Sequence, residues 1–229
     1  MARMTSPERR AAIVAATLEV MRHKGIAATT VRDVAQRMGT SSGLVHHYFA
    51  SMDELLAAAF EQAATADLGV TTAAVEALSD PVDRLRAFFA TYVRAEQDWA
   101  FQLWLDAWAE ATRRPTLRQT SQRLNVTWQQ VLARCIRDGV AAGVFDCPDP
   151  EGAAWRILSL LDGLALQSVA HRVAIDRTAV VSWSAGFAEA ELALPAGALG
   201  GPPPESAVTA AAAAEATRAA GRGGPRDPG

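Results

Sequence analysis

The sequence has few of the residues that mark secreted, membrane or metal-binding proteins. It contains only two cysteines, Cys135 and Cys147, which are too few for a disulfide framework or a cysteine metal site. No apolar run approaches the roughly eighteen residues of a membrane-spanning helix, and the start of the chain has no signal-peptide pattern. These absences predict a cytoplasmic protein in a reducing compartment with no membrane partner.

The sequence also lacks the arrangements that enzymes use. It has no Gly-rich phosphate loop, no nucleophile paired with a base, and no carboxylates and histidines at metal-ligand spacing. Asp162 and His171 are nine residues apart and do not form a site. The adjacent His46 and His47 would point about 100° apart on a helix, so they could not easily share one ion. We therefore expect no catalytic residues, no cofactor and no metal ion.

What the sequence does contain is a helix-turn-helix pattern, in the stretch TTVRDVAQRMGTSSGLVHHYFASMDELL at residues 29–56. Four apolar residues share one face of its first helix: Val31, Val34, Ala35 and Met38. Gly39 stands where helices commonly end with a positive φ, and Ser41 is a candidate N-cap for the second helix. Val45 and Phe49 are four residues apart and share the buried side of that helix. Its outward face carries hydroxyls and ring donors but almost no acid, which suits the major groove because carboxylates would repel phosphate.

Charge is distributed unevenly between the two ends of the chain. Residues 1–50 contain seven basic and three acidic side chains, a net charge of +4, whereas the whole chain carries −3. The remaining 179 residues therefore carry −7. The basic end is where DNA is expected to bind, although arginines such as Arg9, Arg10 and Arg22 could equally be ordinary solvated residues.

The stretch resembles the DNA-binding region of the TetR family of bacterial transcription regulators, in which three helices bind DNA as a dimer and the others bind an effector. The resemblance implies eight DNA-binding residues: Arg32, Ser41, Ser42, Gly43, Leu44, His46, His47 and Tyr48. Within this set, His47 and Tyr48 would contact phosphates, and Arg32, Ser42, Gly43, Leu44 and His46 would contact bases. The family usually has a lysine three residues after the Tyr-Phe pair. Met52 stands there, so one typical phosphate anchor is missing.

The C-terminal part resembles the BetI-like branch of the same family. The likeness covers roughly residues 97–195, and its specific part is GVAAGVF followed by DP and LLDGL. The resemblance implies a small-molecule effector. Its identity does not carry over, because members of the branch respond to diverse compounds.

We predict an all-α protein of about nine helices, since no β pattern and no internal repeat is present. Residues 1–50 would form the helix-turn-helix DNA-binding domain, and residues 51–194 a helical bundle for ligand binding and dimerisation. Residues 195–229 are rich in Ala, Pro and Gly and are expected to be a disordered tail, with at most a fluctuating helix at 207–220.

Six residues are candidates for the effector pocket: Phe101, Trp104, Trp108, Trp128, Trp155 and Asp162. Indole faces attract organic cations and stack on flat apolar molecules, and a carboxylate would supply the counter-charge. Asp106 and Glu110 are alternatives to Asp162 in that role. The tryptophans could instead be ordinary core residues, as aromatic stripes at helical spacing usually are.

The last two long helices are candidates for a two-fold dimer interface. Gly163 inside a helix costs about 1 kcal/mol relative to Ala, which suggests a close helix approach. The candidate interface residues are Ile157, Leu160, Leu164, Val180, Trp183 and Phe187. A homodimer would place two recognition helices about 34 Å apart, or a multiple of that distance, on a near-palindromic operator.

Together these patterns predict a sequence-specific DNA-binding transcriptional regulator that binds double-stranded DNA and a small-molecule effector of unknown identity. The preferred hypothesis is a repressor that the effector releases from its operator. An activator or dual regulator of the same fold remains open, because the sign of regulation depends on where the operator lies. A helical protein without a DNA role is a further alternative.

Overall fold

The computed structural model describes residues 4–93, 97–171 and 175–222. Within these ranges the chain forms ten α-helices, one 3-10 turn and no strand, which confirms the predicted all-α class. The helices are α1 Ser6–Lys24, α2 Val31–Arg37, α3 Ser42–Tyr48, α4 Met52–Glu76, α5 Pro81–Ala90, α6 Gln97–Glu110, α7 Pro115–Ala141, α8 Pro150–Ala170, α9 Arg177–Glu191 and α10 Glu205–Arg222. The 3-10 turn, Thr91–Val93, directly follows α5.

The chain divides into two compact units. The first consists of residues 1–65, 102–124 and 218–229, and the second of residues 66–101 and 125–217. The chain passes from one unit to the other inside α4, α6, α7 and α10. Helix α4, which begins just after the boundary predicted at residue 50, continues without a break for 25 residues through the first of these crossings.

The first two helices begin where their caps dictate. Thr5 and Glu8 form a capping box at the start of α1, in which each side chain binds the other's backbone N–H. Thr30 and Asp33 do the same for α2. Gly25 ends α1 with a φ of 76°, a conformation that side chains with a Cβ adopt only with strain. Local hydrogen bonds therefore set the boundaries of both helices.

The tail that composition predicts to be disordered contains α10. Ala207 is buried against Ala74 and Ala87, and Leu78 and Ala211 pack beside this cluster. An alanine-rich segment is low in complexity, but alanine is also the strongest helix former, and its small side chain allows close helix packing. The sequence therefore predicts at most a fluctuating helix at 207–220, whereas α10 spans Glu205–Arg222 and packs through its small side chains. Residues 223–229 lie outside the described part.

None of the described helices combines the length and hydropathy needed to cross a membrane. Cys135 and Cys147 are both buried and unbonded, and burial raises the pKa of the Cys135 thiol to about 11. The described ranges contain no group of three or more His, Cys, Asp or Glu residues positioned to hold a metal ion.

Candidate DNA-binding and effector sites

The helix-turn-helix consists of α2 and α3, whose packing residues are those expected from the spacing. Val34, Val45 and Phe49 are almost completely buried. Gly39 has a φ of 64° in the turn between the helices, the left-handed conformation that glycine adopts without strain. The short helix α3 is therefore held by its own apolar side against the rest of the first unit.

The eight residues that resemblance implies for DNA binding all reach the surface. Six are exposed, namely Arg32, Ser41, Ser42, Gly43, His46 and His47, and Leu44 and Tyr48 are partly buried. The rings of His47 and Tyr48 meet edge to face with centroids 5.1 Å apart. The exposed side of α3 thus presents hydroxyls and ring donors and no carboxylate.

The start of α4 is fixed by hydrogen bonds around position 52, where the family lysine is missing. Glu54 accepts a hydrogen bond from the backbone N–H of Ala50, and its own N–H donates to Ser51 Oγ. The Arg10 guanidinium lies 4.5 Å from the centre of the Phe49 ring and 3.8 Å from Glu54 Oε1. An arginine of α1 therefore lies beside the segment that connects α3 to α4.

A carboxylate of α6 contacts the end of α1. Asp106 Oδ2 accepts a hydrogen bond of 3.3 Å from the backbone N–H of Ile26, and Oδ1 accepts one of 2.8 Å from Gln102 Nε2. A Cβ at Gly25 would lie only 3.1 Å from Asp106 Oδ2, so a larger residue at this position would crowd the carboxylate. Asp106 was one of the alternatives to Asp162 as the counter-charge of an effector. In the structure its carboxylate accepts a hydrogen bond from the backbone just after α1.

The six residues predicted for the effector pocket do not form one cluster within either unit. Trp104 and Trp108 belong to the first unit, where Trp104 meets the buried Phe60 ring edge to face at 4.9 Å. The rings of Trp104 and Trp108 are 5.6 Å apart. Both indoles are partly buried, and their assignment to the effector pocket stays a prediction.

The second unit contains an aromatic cluster, which we call the cage: Phe88, Tyr92, Phe101 and Trp128. Tyr92 is its centre, with ring centroids 5.5 Å from Phe88, 6.0 Å from Phe101 and 5.8 Å from Trp128. Phe101 and Trp128 were predicted, whereas Phe88 and Tyr92 were assigned only to the apolar side of a helix. The missed signal was the tyrosine, whose hydroxyl needs a polar partner when the ring is buried.

Two acids act electrostatically on the cage. Burial raises the pKa of the Asp162 carboxyl to about 7, because the charged form is poorly solvated there. Burial also raises the pKa of the Tyr92 phenol, and the charges of Asp162 and Asp67 raise it further. Asp162, the predicted counter-charge, therefore lies close enough to the cage to interact with its central ring.

The indole N–H of Trp128 is buried and has no hydrogen-bond partner among the residues described. An unsatisfied buried donor costs about 1–3 kcal/mol. The cage thus combines aromatic faces that attract cations, a carboxyl that loses its proton readily near neutral pH, and a donor that lacks an acceptor. A small organic cation that carries an oxygen acceptor matches all three features.

Trp155 does not belong to the cage. It is 38% exposed on α8, and no described ring contact links it to the four cage residues. Its assignment to the effector pocket stays a prediction, which no contact with the cage supports. The periodicity of the apolar residues could not show whether Trp155 is exposed, because α8 carries apolar residues on more than one side.

The predicted dimer residues also separate into two groups. Ile157 and Val180 are 0% exposed within a single chain, so they cannot contact a partner directly, which corrects their assignment. Trp183 is 54% exposed, and Leu160, Leu164 and Phe187 are partly exposed. Helices α8 and α9 pack against each other, and the other four residues remain candidates for the interface.

Comparison with known proteins places the chain in a family. Residues 13–59 match the profile described as bacterial regulatory proteins of the tetR family. Residues 81–193 match the BetI-type transcriptional repressor C-terminal domain. The HTH-type transcriptional regulator BetI of Paraburkholderia xenovorans is 33% identical over 193 residues, which are 81% of this chain and 94% of that protein. The chain belongs to the TetR family of transcriptional regulators, in its BetI-type branch. BetI of Rhizobium meliloti is 30% identical over 191 residues, 81% of this chain and 90% of that protein.

Solved structures share the fold of this TetR regulator. A putative transcriptional regulator from Saccharomonospora viridis in complex with choline has a TM-score of 0.73 at 24% identity, covering 82% of this chain and 98% of that one. A TetR regulator from Haloarcula marismortui has a TM-score of 0.72 at 21% identity, covering 81% and 99%. The relatives are named as transcriptional regulators, which confirms the prediction of a DNA-binding regulator and not an enzyme.

Proposed function

We propose that this TetR regulator is a homodimeric repressor and that a small organic cation, bound in the cage, releases it from a near-palindromic operator. The observation that carries the proposal is the incomplete cage around Tyr92. The Asp162 carboxyl beside it and the Trp128 N–H, which has no hydrogen-bond partner among the described residues, both cost free energy where they lie. A ligand that completes them would recover that cost as binding free energy.

The chemistry of the cage favours a quaternary ammonium group over a neutral ligand. Cation–π attraction to Tyr92 and Trp128 strengthens when the cation is desolvated, and ionised Asp162 would add its charge. The Trp128 N–H would donate to a hydroxyl or carbonyl oxygen of the same ligand. The choline complex of the Saccharomonospora viridis regulator supports this class of ligand.

The partially exposed apolar residues of α8 and α9 support pairing of two copies. Trp155 and Trp183 are large apolar side chains in water, and Leu160, Leu164 and Phe187 are only partly covered. A two-fold interface there would bury them. The cation would release DNA only to the extent that it binds more tightly to the arrangement in which the two recognition helices do not fit the operator.

The first experiment measures binding of the purified protein to the duplex upstream of its own gene, by fluorescence anisotropy, with and without choline. The matched control is 3,3-dimethylbutan-1-ol, which has the shape and hydroxyl of choline but no charge. We expect choline to weaken DNA binding and the neutral analogue to have little effect. Equal effects of the two compounds, or none of either, would contradict a cation effector.

Three variants locate the site. Asp162→Asn removes the charge, and Trp128→Phe removes the N–H while keeping an aromatic ring. Each should lower choline affinity about tenfold or more and leave DNA binding intact, because a desolvated cation–π or ionic contact contributes roughly 1–2 kcal/mol. Val144→Ala, which shortens an exposed apolar side chain outside the cage, is the control and should respond to choline as the wild type does. A reporter under the upstream region should be expressed more strongly when choline is added. Weaker expression would indicate an activator.

A further inference from the structure

An open cleft lies between the start of α1 and the recognition helix α3. Its volume is about 560 Å³, and it is lined by Met4, Thr5, Ser6, Arg9, Leu44 and Tyr48. All six residues belong to the first unit. The cleft therefore opens beside the face of α3 that carries the expected DNA-binding residues.

Most basic side chains of the first three helices are already engaged within the protein. Lys24 pairs with Asp33, Arg37 with Glu19, and Arg10 with Glu54. Those pairs need rearrangement before they can bind a phosphate. The guanidinium of Arg9 has no ion pair or hydrogen bond among the described residues, so its charge is available in the cleft.

The other groups in the cleft complement Arg9. The hydroxyls of Ser6 and Tyr48 have no hydrogen-bond acceptor in the described part of the chain, so both can donate to an anion. Glu8, which precedes Arg9 in α1, accepts hydrogen bonds from the backbone N–H and the hydroxyl of Thr5. Met4 and Leu44 add apolar walls, which suit the sugar beside a phosphate better than they suit a free inorganic ion.

We propose that this cleft binds one backbone phosphate of duplex DNA, with Arg9 as its charge and Tyr48 and Ser6 as further donors. The inference rests on DNA binding by this TetR regulator and adds a contact from α1 to those expected from α2 and α3. The bound phosphate fixes the register of α3 in the major groove, because Leu44 and Tyr48 belong both to the cleft and to the recognition helix. It also supplies an anchor in a chain with Met52 at the lysine position.

The decisive test couples a protein charge to a single phosphate. Each phosphate of one half-site is replaced in turn by an uncharged methylphosphonate, and affinity is measured for the wild type and for Arg9→Ala. We expect one flanking position whose replacement weakens wild-type binding about tenfold and has a much smaller effect on Arg9→Ala, which has only the contacts from Tyr48 and Ser6 left to lose. Tyr48→Phe should show partial coupling at the same position. No phosphate coupled to Arg9 would overturn the proposal.

Salt dependence gives an independent readout on mixed-sequence duplex of about 30 base pairs, which needs no known operator. Arg9→Ala should lower the slope of log K against log salt by about one for each protomer. Arg9→Lys should restore the slope. Arg118→Ala is the matched control, since Arg118 is an exposed arginine that does not line the cleft. A wild type that binds duplex while Arg9→Ala matches Arg118→Ala overturns this proposal alone. A wild type that binds no duplex overturns the repressor proposal as well.

Discussion

The acids in α1 and α2 and the acid beside the cage have pKa values that are shifted in opposite directions. The backbone and hydroxyl of Thr5 lower the pKa of Glu8, and hydrogen bonds from Lys24 and Thr30 lower the pKa of Asp33. Burial instead raises the pKa of Asp162 to about 7. Hydrogen bonds within α1 and α2 stabilise the charges of these two acids, whereas the surroundings of the cage stabilise the charge of Asp162 poorly.

This difference separates a preformed surface from an incomplete site. DNA recognition needs side chains held ready before binding, so helices closed by their own caps are suited to it. A ligand-responsive site needs free energy that is released only when the ligand arrives. Asp162 and the Trp128 N–H provide such a reserve.

The largest effect is expected from a substitution that destabilises the packing of α1–α3 alone. Phe49→Ala removes a buried ring from a small unit and should cost about 3–5 kcal/mol. We expect DNA binding to be lost while choline still binds to the cage, measured by calorimetry. Val126→Ala, which shortens an exposed apolar side chain, is the control and should change neither property. Loss of choline binding in Phe49→Ala would show that the two regions do not work separately.

The second prediction concerns pH and sharpens the contrast between the acids. A bound cation favours ionised Asp162, so choline affinity is greatest where the carboxyl is already ionised, above its pKa of about 7. Below that pH a proton must be released for binding. The affinity should then fall by up to tenfold per pH unit, reaching about a hundredfold over two units.

The measurement is calorimetric titration of DNA-free protein with choline between pH 8 and pH 5. Asp162→Asn should bind choline weakly and without this slope. A wild-type affinity that is flat across the range would show that Asp162 does not bear the counter-charge.

The third prediction concerns stability without ligand. Between the unfolded pKa near 4 and the folded pKa of about 7, the folded chain binds more protons at Asp162, so its stability falls as pH rises. Asp162→Asn should therefore stabilise the protein by about 1–3 kcal/mol at pH 8, where the wild type carries the buried charge. The gain should disappear as pH approaches 4. Urea unfolding at pH 8 and pH 5 measures it, and an equal gain at both values would contradict burial as the cause.

The sequence could predict α1–α3 closely because their determinants are local. Thr30 and Asp33 are three residues apart, and Gly39, Val45 and Phe49 follow within one short stretch. The cage could not be predicted in the same way. Tyr92 lies in a 3-10 turn, and Trp128 and Asp162 reach the same region from α7 and α8. The spacing of apolar residues shows which side of a helix is apolar, but not which side chains of other helices pack against that side.

The residues predicted for the dimer interface show the same limit of apolar periodicity. Ile157 and Leu160 are three residues apart and fit one stripe, yet the first is wholly buried and the second partly exposed. A helix packed on one side and exposed on another can be apolar on both when a second copy covers the exposed side. Period alone does not distinguish these two sides.

The smallest effect is expected at the contact between α6 and the end of α1. Helix α6 carries Phe101 of the cage and, five residues later, Asp106, which binds the Ile26 N–H. If α6 transmits the state of the cage, Asp106→Ala should weaken the response to choline and not DNA binding itself. Allosteric coupling is typically about 1–3 kcal/mol, and one lost hydrogen bond of about 1 kcal/mol should reduce the choline-induced change in DNA affinity a few-fold.

Two comparisons make that small effect interpretable. Asp106→Asn keeps an oxygen acceptor for Ile26 and should retain most of the coupling, so a difference between Asn and Ala isolates the hydrogen bond from the charge. Gln102→Ala removes only the other partner of the carboxylate and should have less effect than Asp106→Ala. Since choline binding and DNA binding are each measured alone, a variant that lowers either affinity by itself would argue for a structural role of Asp106. Unchanged coupling in Asp106→Ala would direct attention to α4, α7 and α10, the other three helices that pass between the units.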